Sequence, residues 1–125
     1  MNKIIEIVAI GIVASVCGFS GAASAASYPV SGKWGQDAGS GKGAIDCSGK
    51  RTIDFAGERR FDSGGGVPDF RAIRVEPRGQ NDYRITEEFR TGQVNGRNTI
   101  ELRRVDADHL AISMRGGSLK LRPCK

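Results

Sequence analysis

The chain has 125 residues, a net charge of +5 and 38% hydrophobic residues, which is the scale of one small domain rather than two. With aromatics at 6% and a single histidine, the composition speaks against stacked nucleic-acid readout and against a His-based metal centre. The basic balance instead favours anionic partners.

Met1-Asn2-Lys3 is a short positive start, and Ile7 to Phe19 is almost wholly apolar or small. Ala23-Ser24-Ala25 then supplies a small-residue site, completing the pattern of a cleavable secretory signal over residues 1–25. The apolar run falls short of the roughly 20 residues a membrane span needs, so no stable membrane anchor is expected after cleavage. Val16 before Cys17 does not suit a lipoprotein signal, which wants a small residue there. Cleavage removes one charge of each sign and Cys17, leaving a domain of residues 26–125 at +5 with Cys47 and Cys124. In a periplasmic or secreted protein, two cysteines predict one disulfide. On the chain-entropy account, a loop this long is worth about 4 kcal/mol.

The domain reads as strands and turns. Candidate strands cover Val30–Gln36, Ala44–Cys47, Arg51–Phe55, Arg59–Phe61 and Phe70–Glu76. Between them lie two glycine-rich loops, Gly39–Gly43 and Gly64–Gly66. Gly39-Ser40-Gly41-Lys42-Gly43 is not a phosphate loop, because no Ser or Thr follows Lys42 and no helix pattern follows the loop. Further on, period-two alternation is clear. Tyr83, Ile85 and Phe89 share one parity, as do Ile100 and Leu102, then Leu110, Ile112 and Met114, then Leu119 and Leu121. Asn95-Gly96 and Gly116-Gly117 are placed to make tight hairpin turns. Gly79–Asp82 and Asp106–Asp108 make further turns. About eight short strands with short sequential connections predict an all-β fold, a small up-and-down antiparallel barrel. Closure requires the Trp34 strand to pair with the Leu119–Arg122 strand. It places Ile73, Val75, Tyr83, Ile85, Phe89, Ile100, Leu102, Leu110, Ile112, Leu119 and Leu121 inside a mostly filled core.

Gly32-Lys33-Trp34 in the first strand, the β-meander after it and a cysteine near the C-terminus resemble the lipocalin-like (calycin) barrels. The resemblance implies that Trp34 closes one end of the barrel and that a late arginine, Arg122 or Arg104, packs across its ring. The chain is also similar to small secreted barrel inhibitors of bacterial metalloproteases, which share an early Trp, the domain size and one disulfide. In those proteins the bridge lies within the first half of the chain.

Neither a nucleophile elbow nor a metal-ligand constellation appears in the sequence, and Asp106-Ala107-Asp108-His109 is a turn leading into a strand. The protein is therefore read as a non-enzyme without metal or cofactor. Glu87 breaks the pattern of its strand, because its parity is that of Tyr83, Ile85 and Phe89. A carboxylate aimed inward must be paired or neutral. Arg71 and Arg104 share inward parities with Ile73 and Ile100 and are the candidate partners, so Glu87, Tyr83, Arg104 and Arg71 form a candidate polar anchor for a ligand. The expected function is binding of a small apolar or amphipathic ligand by an exported barrel. The alternatives are an interaction module for an extracytoplasmic protein, such as a hydrolase inhibitor, and an anion-binding envelope protein.

Overall fold

The structure is a computed structural model that describes residues 26–39 and 41–125. The expected signal segment, its expected cleavage site and Cys17 lie outside the described residues. Eight antiparallel strands follow one another around a closed barrel: β1 (Gly32–Gln36), β2 (Thr52–Ala56), β3 (Arg59–Asp62), β4 (Asp69–Pro77), β5 (Asp82–Thr91), β6 (Val94–Asp106), β7 (His109–Met114) and β8 (Gly117–Pro123). Each strand pairs with the next, and β1 closes on β8 through Trp34 opposite Pro123, Gly35 opposite Arg122 and Gln36 opposite Leu121. Closure leaves no open sheet edge along the paired lengths.

The core follows the alternation of the later strands. Ile85, Ile100, Leu102, Leu110, Ile112, Leu119 and Leu121 are buried, and Val75 and Tyr83 pack against them half-buried. Ile53, Phe55, Phe70 and Ala72 join from the earlier strands. The segment before β1 enters the barrel as well: Tyr28 and Val30 are buried, and Tyr28 meets Phe55 edge-on at 5.3 Å. Main-chain bonds from Ala26 to Ala72 and from Tyr28 to Gly57 seat that segment.

Several expectations are corrected. Phe89 is only half-buried and outside the core cluster, and the β7–β8 turn is Arg115-Gly116 between the paired Met114 and Gly117. Three further corrections concern β4, the β5–β6 turn and the β1–β2 connection. Ile73 is only half-buried, because a bulge between Ala72 and Arg74 interrupts the pleat of β4. Phe70 and Ala72 point inward before the bulge and Val75 after it, so Arg71 faces out. Second, Asn95-Gly96 is not the hairpin turn. Gly92-Gln93 makes it, with Gly92 at φ 57° between the paired residues Thr91 and Val94. Gly96 serves packing instead, since a Cβ there would lie 2.5 Å from the ring of Phe89, its cross-strand partner. Third, Ala44–Cys47 is not a strand. Its only ladder pairing among the described residues is one isolated bridge, Ile45 with Cys124, beside the Cys47 disulfide.

The disulfide forms as expected. Cys47 and Cys124 are bonded, with Cα atoms 5.6 Å apart, and tie the long β1–β2 connection to the end of β8. Trp34 is 6% exposed, and its indole Nε1–H donates to the Ser31 carbonyl at 3.0 Å. No arginine stacks on it among the described residues. Arg122 is drawn aside by better acceptors: its guanidinium donates to Asp37 Oδ2 at 3.0 Å and to the carbonyls of Gly43 and Lys42.

Candidate functional site

Two charged arrays lie on opposite faces of the sheet formed by β3, β4, β5 and β6, and their members are neighbours in sequence. The inner array centres on Glu87, which is fully buried as its parity requires. Its partner is Arg60, itself 1% exposed, whose Nε and Nη2 donate to the two carboxylate oxygens at 2.6 and 2.9 Å. The Tyr28 hydroxyl donates to Glu87 at 2.7 Å and the Asn98 amide at 3.1 Å. Arg60 lies 4.0 Å over the Phe70 ring, and Asp62 continues the chain outward to Arg51 through bonds of 2.9 and 2.7 Å.

Burial works against the charge of Arg60, but its hydrogen bonds to Glu87 hold the guanidinium above its ordinary value. Burial and the adjoining Glu87 carboxylate together push the Tyr28 phenol upward, so it remains a donor. Burial also works against ionised Asp62, yet the Arg51 bonds hold its carboxyl below the usual range. The array is thus two cations and two anions, with Tyr28 and Asn98 as neutral donors. Arg60 Nη1 is its one buried polar side-chain atom without a hydrogen bond among the described residues; the nearest carboxylate oxygen is Asp62 Oδ2 at 3.5 Å.

The sequence-predicted partners of Glu87 lie elsewhere. Arg71 is exposed on the outer face, 3.4 Å from Glu58. Arg104 is exposed beside a second irregularity, between Arg104 and Asp106. Tyr83 packs against the core without reaching Glu87's polar shell. Arg60 is hard to read as an inward residue from the sequence, because the apolar residue beside it has the outward parity. Phe61 looks like the inward member of β3 but is 41% exposed, while Arg60 and Asp62 point in. The shared parity of Arg60 and Asp62 was the available signal.

The outer array is a row across four strands. Arg59 stands opposite Arg71, Arg71 opposite Glu88, and Glu88 opposite Arg97. With Asp69, Arg90, Asn95 and Gly96, and with Phe70 and Phe89 beneath, these residues line an open groove of about 670 Å³. Arg59 is paired with Asp69. Arg90 donates to the neutral Asn95 side chain at 2.8 Å, and neither Arg90 nor Arg97 forms an ion pair among the described residues. The groove therefore carries four arginines against two carboxylates. A smaller hollow of about 320 Å³ near Arg103 lacks this surplus, since Arg103 is bonded to Asp82 at 2.8 Å.

A third polar cluster binds the glycine loop rather than opening a site. His109 Nε2 lies 2.8 Å from the Gly41 carbonyl, and its Nδ1 lies 2.7 Å from Asp106. Both partners accept only, so both contacts are hydrogen bonds only when the ring is an imidazolium. The Gly43 N–H donates to Asp108 at 3.0 Å.

Fold and site together define a small disulfide-tied, eight-stranded antiparallel barrel with a packed ionic interior and an arginine-rich outer groove. No protein-family model, curated protein or solved structure matches the chain.

Proposed function

We propose that the protein is an exported, non-enzymatic interaction module that engages an acidic partner protein through the groove across β3–β6. The observation that carries this reading is the groove's charge: four arginines against two carboxylates, with Arg90 and Arg97 unpaired among the described residues. Exposed cations without internal partners are free to steer and hold carboxylates of a second molecule. The packed interior supports the same choice. Tyr28, Arg60 and Glu87 take up the space in which a barrel of the calycin type would hold a ligand, and they bond to one another there, Arg60 Nη1 alone being left without a hydrogen bond among the described residues. The Cys47–Cys124 bridge agrees with an oxidising compartment outside the cytoplasm.

A second reading keeps the groove and changes the ligand to a small amphipathic anion. The groove's volume of about 670 Å³ favours it, being that of small-molecule sites. Binding of a fluorescent oligoglutamate peptide, measured at low and at physiological salt, tests the first reading. Salt-sensitive binding that weakens in the double variant Arg90→Ala/Arg97→Ala is expected. Equal binding to wild type and variant would overturn the groove assignment. Native mass spectrometry of protein from its own compartment separates the readings, since a retained small anion would favour the second.

A further inference from the structure

The β5–β6 hairpin is longer than the barrel that carries it. β6 has 13 residues, but its pairing with β7 begins only at Glu101 opposite Ser113. From Val94 to Ile100, β6 is paired with β5 on one side and with no strand on the other among the described residues. The two-residue turn at Gly92-Gln93 makes Thr91 and Val94 the closing pair, and the register runs without a break from there to Asp82 opposite Arg103. Hydrogen-bonded and non-bonded pairs alternate along such a ladder. Asn95, Arg97 and Thr99 therefore direct their N–H and C=O groups away from β5, toward the free side. Glu101 has the same parity and is the residue at which β7 takes up the ladder.

We propose that this edge of β6 is a docking strand, and that its occupant is an extended acidic segment of a partner protein, added alongside Val94–Ile100. The inference rests on the groove reading above and specifies its mode of contact. Charge selects the occupant. Asn95 and Arg97 also line the groove, so a strand laid against β6 continues the row Arg59, Arg71, Glu88, Arg97 by one position. Opposite charges directly across a strand pair stabilise it, and like charges destabilise it. The position beside Arg97 thus calls for Glu or Asp. The opposite face of the edge offers Val94, which is 60% exposed, to an apolar side chain of the incoming strand. A second copy of the chain is a poor occupant, because pairing two of these edges brings Arg97 of both copies to one seam on chains of net charge +5. A charged edge residue is a recognised guard against self-pairing, and a main-chain ladder with side-chain selectivity is the general logic of strand addition.

The test uses the whole protein and two synthetic probes. One is an eight-residue alternating Val/Thr peptide with a central Glu. The other is the same peptide with two N-methylated amides on the edge that would face β6. The first is expected to bind and to slow amide exchange at Asn95, Arg97 and Thr99. The second, which keeps the carboxylate but loses two main-chain donors, should bind about tenfold more weakly or worse. Equal binding of the two peptides would overturn strand addition while leaving the charged groove standing. Failure of both, with oligoglutamate still bound, would also overturn it. Failure of all three probes would remove the groove reading itself. Arg97→Glu, an exposed change that leaves the core intact, should bind a peptide with central Lys in place of Glu. Retention of the Glu preference would sink the assigned register.

Discussion

Arg60 and Arg71 are both arginines on adjacent strands beside a glutamate of β5, and they have opposite physical roles. Arg60 is 1% exposed and bonded twice to buried Glu87, whereas Arg71 is exposed opposite Glu88. The pleat puts one residue between two environments. Inside, each ion has surrendered water and depends on its partner. Outside, each keeps most of its water, and pairs such as Arg71 with Glu58 are exposed. The inner array packs within the barrel interior, and little of the fold depends on the outer one, which is the one proposed above to meet a partner.

The sharpest way to break this contrast is to cut the inner array. Glu87→Ala leaves the Arg60 charge buried without its main acceptor and should cost about 3–5 kcal/mol in urea unfolding. Arg60→Met with Glu87→Leu removes both charges and should recover most of that loss. Recovery would show that the penalty lies in an orphaned ion rather than in the strength of the pair. If Glu87→Ala proves harmless, the network does not hold the interior. Trp34→Ala belongs to the same scale. Emptying its site should cost about 3–5 kcal/mol, read as a fall in the denaturation midpoint.

Reducing Cys47–Cys124 acts on the unfolded chain more than on either array. Its sequence separation of 77 gives a loss of about 4 kcal/mol on the entropic account, measurable by unfolding with and without reductant. At the outer end of the scale, Arg71→Ala should change stability by less than about 1 kcal/mol, since exposed ion pairs contribute little. A loss approaching that of Glu87→Ala would erase the distinction between the faces.

The smallest effect expected is a pH response at His109. The Asp106 hydrogen bond holds the ring's pKa above its ordinary value of 6.5, so the clasp on Gly41 is complete below that pH. It is lost as pH rises through the raised value. Proton NMR should place the His109 titration above 6.5, with the Gly41 and Gly43 amides moving in step. Asp62 works in the opposite sense. Its lowered carboxyl contributes stability at neutral pH that disappears as pH falls below about 4 and through the lowered value.

What the sequence determined by itself was whatever depends on period and composition: the all-β class, the closed meander, the disulfide, the inward parity of Glu87 and most of the later core. These are local or obligatory. Alternation along one strand needs no knowledge of its neighbours, and the two cysteines within residues 26–125 allow only one bridge between them. Tertiary structure decided what depends on register between strands. The bulge in β4 turned Arg71 outward, and the ring of Phe89 over Gly96 claimed that glycine for packing while Gly92 made the turn. Arg60 became the partner of Glu87 because β3 and β5, separated by 27 residues at that pair, converge inside a closed barrel. Alternation along an unbroken strand says which face a side chain takes, but only the pairing and closure of the sheet say where a bulge reverses it and what the side chain meets there.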